Sequence, residues 1–410
     1  MTAWKTEKLS NLLAVSIGGI WGEEAGLAEI DVSVVRVTEL KAHGRIDPRS
    51  AVTRSVTLKQ LASRELQEGD LLLEKSGGGP NSPVGRVGYF FQEGTRTVCS
   101  NFMQLMRPDS TKVLPKYLFY FLDAFHSNGG TIPMQTATTN IRNIKTPRYM
   151  DIDVPVPSID EQHKIVELLE DHLSRLDAAL ADVKRAKLMA AQFRNVYIDD
   201  FLKRAKGIKT TLGSVSKFNS GFAYKSSVWQ DSGVPVVKIM NVKHREVNLE
   251  GCSFISEEIA ETSKNFVVKK GDLLFNMTGA TLGAFGFYKL ELEARMNQRV
   301  GKFMPLDRNE LNLNYLAYFL EAASTQQRIQ QLAKGAAQPN ISPTDILSLE
   351  ICLPDFGMQN AIVEELDAGL SKVTQVDQLC SITKVESNAL RRSLLQAAFT
   401  GQLTKEVVSV

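Results

Sequence analysis

Between Asp160 and Arg204 the chain runs for about 45 residues without a glycine or a proline. At a helical rise of about 1.5 Å per residue this predicts one helix about 67 Å long, more than a single compact domain buries. Within it Leu169, Leu173, Leu176, Leu180 and Val183 step by four and three. The apolar stripe then continues through Ala186, Ala190, Phe193, Tyr197 and Phe201, which puts a stutter into the heptad. A stripe this narrow on a helix this long calls for a second helix as its partner.

The partner is the segment from Met358 to Leu403, which repeats the first at a constant offset of 197. Ile165 falls on Ile362, Leu169 on Leu366, Leu173 on Leu370, Leu176 on Val373, Phe193 on Leu390 and Tyr197 on Leu394. Leu180 falls on Asp377, and Gly369 sits inside the second helix. The expected interface is Leu169, Leu173, Leu176 and Leu180 against Leu366, Leu370, Val373, Leu390 and Leu394. Aspartate in place of Leu169 and Leu366 is expected to split the pair and leave each half folded.

The repeat extends beyond the helices. GDLLL at 69–73 stands over GDLLF at 271–275, Val34–Leu40 over Val236–Val242, residues 100–124 over 296–322, and Asn140–Ile141 over Asn340–Ile341. A period near 200 residues marks duplicated domains rather than a solenoid of short repeats. The expected organisation is a domain over 1–155, a central helix over 156–206, a second domain over 207–355 and a C-terminal helix over 356–410. The fold class is α+β: two similar mixed α/β domains joined by two long helices that pair as an antiparallel coiled coil, a pseudo-twofold internal repeat. Parallel pairing would force the connection after Arg204 to run back along the helices.

Composition narrows the function. With 43% hydrophobic and 23% charged residues the chain is neither disordered nor membrane-spanning in character. No apolar run approaches 18 residues and the N-terminus lacks the order of a signal peptide, so the expected location is the cytoplasm. Cys99, Cys252, Cys352 and Cys380 are scattered and never form CxxC, and the five histidines show no metal-ligand spacing. Neither zinc, a disulfide framework nor any cofactor is expected. The motifs GxxxxGK[ST], HExxH and GxSxG are absent, and Gly77–Gly79 read as a hairpin turn, so a nucleotide-using enzyme is disfavoured. The net charge is +2, divided as +2 over 1–155, −1 over 156–204, +2 over 205–355 and −1 over 356–410.

With GDLLL, GDLLF, PSIDEQHKIVELL at 157–169, QPNIS at 338–342 and LRRSLLQAAFTGQL at 390–403, the chain resembles the specificity subunit of type I restriction-modification systems over essentially its full length. It departs where PDFGMQNAIVEEL keeps Gln359 but not the preceding acid, and where TTNIRN replaces the QPNIS type. The resemblance implies two target recognition domains, each reading half of a bipartite, asymmetric site in double-stranded DNA. The helix pair would act as spacer and as dock for two methyltransferase subunits, with motor and nuclease subunits joining the complex. It also implies no catalytic activity in this chain. The alternative is an assembly scaffold derived from such a subunit that no longer binds DNA.

Candidate DNA contacts fall in two kinds of segment. Two windows free of acidic residues hold Arg142, Lys145 and Arg148 in one half and Arg328 and Lys334 in the other; they also read as polar linkers. Strand-end loops, where the two halves diverge, add Lys41, Arg45, Lys75, Asn81 and Arg86, and Lys238, Lys243, Arg245, Asn276 and Thr278. His244 lies beside this second set.

Overall fold

A computed structural model describes residues 4–404 except 80–81, 92–93, 139–140, 244 and 336–337, and only the backbone of 137 and 138. Asn81, Asn140 and His244 therefore lie outside the described residues. The chain divides into two compact units, Met1–Val183 with Ile382–Val410, and Lys184–Ser381. Each unit holds one mixed domain and a part of each long helix.

The first unit is built on the strand Leu71–Glu74, whose continuous apolar run suits burial on both faces. It pairs antiparallel with Met103–Pro108 on one side and Val87–Tyr89 on the other, with Leu13–Gly18 beyond, in a four-stranded sheet. A second sheet orders Val52–Val56, Ile30–Val35 and Thr97–Cys99, the last pair being parallel. Thr6–Lys8 pairs with Asp153–Pro155. The second unit repeats this plan with Leu273–Asn276 between Val300–Pro305 and Phe285–Tyr288, and with the parallel pair Val234–Val237 and Ala294–Met296 in the companion sheet.

The GD of the repeated motif sets up each central strand. Gly69 and Gly271 take φ of +88° and +91°, a left-handed turn that favours glycine. The following carboxylates close the turn, Asp70 accepting from the Gln67 amide at 2.7 Å and Asp272 from the Lys269 amide at 2.8 Å. Each also binds a cation on the neighbouring strand: Arg107 grips Asp70 through two bonds of 2.8 and 2.7 Å, and Lys302 reaches Asp272 at 2.9 Å.

The long helices span Ile159–Arg204 and Phe356–Phe399. In the first unit Leu169 and Leu173 share a core with Leu395 and Ala398; in the second, Ile198 shares one with Leu366, Leu370 and Val373. The start of each helix thus packs beside the end of the other, which makes the pair antiparallel. At Gly369 the first long helix packs tightly on the second, since a Cβ there would lie 2.3 Å from the Tyr197 hydroxyl.

The seam differs from the sequence reading in its middle. Phe193 and Leu390 are 52% and 51% exposed, so Leu390 is not an interface residue. The first helix turns Val183, Ala190, Arg194, Tyr197 and Phe201 inward, a heptad without the expected stutter. On the second helix Asp377, Cys380, Ser387 and Arg391 follow Val373 on the same spacing. Phe193 is apolar but lies one residue off the seam, and Leu390, its counterpart at the constant offset, lies off it in the same way. Leu176, Leu180 and Leu394 are half-buried on the seam.

The glutamine that opens each long helix has a structural task. Gln162 and Gln359 are fully buried. The Gln162 side-chain carbonyl accepts from the Leu114 amide at 2.8 Å while its amide donates to the Pro157 carbonyl at 3.0 Å. Gln359 repeats the pattern with the Asn312 amide at 2.9 Å and the carbonyls of Glu310 and Pro354 at 2.8 and 2.9 Å. Gln162→Ala and Gln359→Ala each strand buried backbone groups and should lower stability by about 1–3 kcal/mol in denaturant unfolding. A loss below about 0.5 kcal/mol would show these bonds to be dispensable.

Candidate nucleic-acid interface

Each central strand runs out into the same three-part edge. In the first unit Ser76–Gly77 pairs with Arg142–Asn143 of the hairpin formed by Gln135–Thr138 and Ile141–Ile144. On the other side lies the turn Ser100–Met103, closed by the Met103 amide donating to the Ser100 carbonyl at 2.9 Å. The Phe102 carbonyl accepts from the amides of Lys75 and Ser76 at 2.9 and 3.2 Å. In the second unit Met277–Gly279 meets Pro339–Ile341, with Gly279 donating to Pro339 at 2.9 Å and Ile341 to Met277 at 3.0 Å. The turn Asn297–Val300 closes at 2.9 Å, and the Arg299 carbonyl accepts from Met277 at 3.0 Å. The acid-free windows and the strand-end loops, separate in sequence, meet here.

The expected contact residues divide into three groups. Lys41, Arg45, Lys145, Arg148, Lys243, Arg328 and Lys334 are exposed. Lys75, Arg142 and Lys238 are half-buried; burial lowers the Lys75 ammonium pKa, and the Lys238 Nζ donates to Ser253 at 2.6 Å and lies 4.0 Å from the Trp229 ring centroid. The remaining four serve the fold. Arg86 clamps the buried Glu74 carboxylate at 2.8 and 3.0 Å, and Arg245 bonds Glu321 at 2.9 Å and lies 4.0 Å above the Tyr318 ring. Asn276 is buried, its amide donating to the Ile239 carbonyl at 2.8 Å and to Thr281 at 3.1 Å, and Thr278 is buried beside it.

Other side chains occupy the edge that the sequence reading passes over. Asn101 and Phe102 form the tip of one turn, Gln298 and Arg299 the tip of the other, and all four are exposed. The signal available was the pair SNFM opposite NQRV inside segments that otherwise match, which read as shared framework. Beside the first tip lies a cleft of about 370 Å³ lined by Trp21, Arg36, Ser100 and Phe102. The Ser100 hydroxyl is buried and has no hydrogen-bond partner among the described residues.

This duplicated edge on a duplicated frame agrees with comparison to known families. The model of the type I restriction-modification DNA specificity domain matches residues 30–184 and again 208–381. The chain belongs to that family. Among its relatives is the MjaVIII specificity subunit of Methanocaldococcus jannaschii, 22% identical over 332 residues, covering 76% of this chain and 75% of the relative. The StySPI specificity subunit of Salmonella potsdam is 21% identical over 424 residues, covering 98% and 90%. A chain from a solved type I restriction-modification assembly superposes with TM-score 0.74 at 17% identity, covering 98% and 99%. The HsdS subunit of Thermoanaerobacter tengcongensis gives TM-score 0.52 at 16% identity, covering 98% and 97%. At these identities the two structures establish the fold. Among the described residues no helix is long and apolar enough to cross a membrane, and no cluster of His, Cys, Asp or Glu suits a metal ion.

Each target recognition domain is tied to the long helices by a polar network, and the two networks differ. In the second unit Glu321 binds both Arg194 of the first long helix and Arg245, while Tyr318 donates to Asp367 of the second. By the repeat offsets Arg245, Glu321 and Arg194 correspond to His43, Asp123 and Arg391 of the first unit. There Arg391 donates to Asp177 at 2.8 Å, and its buried Nε has no partner among the described residues. Burial pushes the Asp123 carboxyl up to about 6, the Arg391 charge offsetting part of the effect.

A carboxyl raised in this way favours the fold while protonated. Its contribution is full below the ordinary aspartate pKa near about 4 and is lost as pH rises through about 6. Stability should fall by up to about 3 kcal/mol between pH 4 and 7 through this group, and Asp123→Asn should remove that dependence. Denaturant midpoints across the range test this; identical slopes for both proteins would contradict it.

Proposed function

We propose that this chain is the DNA-reading subunit of a type I restriction-modification complex, with each target recognition domain reading one half of a bipartite, asymmetric duplex site. The helix pair fixes the undefined gap between the halves and docks two methyltransferase subunits. Methyl transfer and cleavage belong to partner subunits in the cytoplasm, the motor and nuclease subunits joining through the complex, and this chain contributes recognition without catalysis.

The observation that carries this reading is the same three-part edge built twice from matching backbone bonds, with different side chains at its tips. A protein keeps a scaffold and varies its loop tips when those tips meet different targets. The net charge of +2 fits a reader whose affinity comes from local cations rather than a uniform polycationic surface. Exposed Lys145, Arg148, Lys243 and Lys334 suit phosphate contacts, which fix register without reading sequence. The exposed apolar side chains of Met189, Phe193 and Val196, spaced by four and three on the first long helix, suit a protein partner.

The test is selection from random duplexes by the chain assembled with its methyltransferase subunits. Recovered sequences should share two short defined halves around a constant gap, with half-sites about one helical turn, near 34 Å, apart. Equal recovery of all sequences by an intact complex would overturn the proposal and leave an assembly scaffold.

A further inference from the structure

The geometry points to the two-residue turn tips as the base-reading groups. We infer that Asn101–Phe102 reads an A·T pair in one half-site, and that Gln298–Arg299 reads an adenine and a guanine in the other. This inference rests on the DNA reading above and adds which residues read and what they read.

The tips are held rigidly, and by the same bonds. The Ser100 amide donates to Val35 at 2.8 Å, and Asn297 donates to Val237 at 3.0 Å. Gly19 donates to Met103 at 3.0 Å, and Gly221 to Val300 at 2.9 Å. A Cβ at Gly19 would lie 2.2 Å from the Ser100 carbonyl, and one at Gly221 would lie 2.3 Å from the Asn297 carbonyl, so each glycine admits the turn backbone at close range. A backbone fixed by this many bonds sets where each side chain leaves the turn before DNA arrives.

Their chemistry is available and specific. Asn101, Gln298 and Arg299 make no side-chain hydrogen bond among the described residues, in contrast to Arg86, Arg245 and Asn276. Asparagine and glutamine match the N6/N7 edge of adenine, arginine matches the O6/N7 edge of guanine, and phenylalanine packs on the thymine methyl. Phe102 is 52% exposed beside Trp21, which is 38% exposed and carries Arg54 at 5.0 Å from its ring centroid. Together with the unpartnered Ser100 hydroxyl in the adjoining cleft, this is an apolar and amide surface of the kind a thymine methyl and an adenine edge fit. The second tip has a guanidinium in place of the phenyl ring.

Competition binding with duplexes carrying each base at each motif position tests the assignment, using the complete methyltransferase complex. Arg299→Ala should reduce discrimination for guanine at one position about 5- to 150-fold, the other half-site and the gap remaining unchanged. Asn101→Ala and Gln298→Ala should do the same for adenine, each in its own half, and Phe102→Ala for the paired thymine. Arg299→Lys keeps the charge but loses the two-pronged contact, and should lose guanine discrimination as well. Variants that weaken every duplex equally would make the tips phosphate contacts and overturn the inference. An unchanged motif would overturn it too. A wild-type complex that selects no motif would instead overturn the DNA reading itself, and this inference with it.

Discussion

Leu169→Asp and Leu366→Asp should each cost at least about 4 kcal/mol, enough to abolish cooperative unfolding of the affected unit. Both side chains are fully buried in apolar cores, where a carboxylate would be desolvated. The sequence alone leads to a milder expectation, in which the helix pair splits and each half stays folded. The structure changes this because the seam is not separate from the domains. Leu169 shares one core with Leu9, Tyr117 and Leu118, and Leu366 shares another with Leu212, Tyr315 and Leu316. Leu169→Met, which conserves volume, should cost less than about 1.5 kcal/mol and serves as the reference. Circular dichroism with denaturant titration reads both, and an aspartate variant with the midpoint of the methionine variant would show the seam to be independent of the domain.

The second large effect is expected at Asp70. Its carboxylate is 1% exposed, accepts both bonds from Arg107 and caps the Gln67 amide, so Asp70→Ala leaves a largely buried guanidinium and a turn amide without their partner. Removing one member of such a pair costs about 3–5 kcal/mol. Asp272→Ala should cost less, about 1–2 kcal/mol, because the Asp272 carboxylate is 24% exposed and takes one bond from Lys302, which keeps a second bond to the Val267 carbonyl at 2.8 Å. Thermal and denaturant unfolding give the order directly. A reversed order would mean that burial does not set the cost of losing these carboxylates.

The duplication and the two long helices are legible in the sequence because each rests on a pattern sustained over many turns or on residues repeated at a fixed spacing, and the antiparallel pairing follows from the short connection after Arg204. Periodicity fails where the seam becomes polar, at Arg194, Asp377, Ser387 and Arg391, since apolar spacing cannot mark a position filled by charge. It fails differently at the recognition edge. Composition raised the arginines, and Arg86 and Arg245 are present at the domains as expected, but only the fold shows that Glu74 and Glu321 already hold them. The exposed tips sit between strand and strand in segments that match across the repeat, so the alignment concealed the four positions where the halves present different chemistry.

Two-headed recognition is tested most directly by mapping every methylated adenine in a genome where this chain is expressed with a methyltransferase subunit. A single motif of two short defined halves around a fixed undefined gap is the predicted result. Methylation without a motif, or a stable complex that marks no sequence in preference to another, would contradict it.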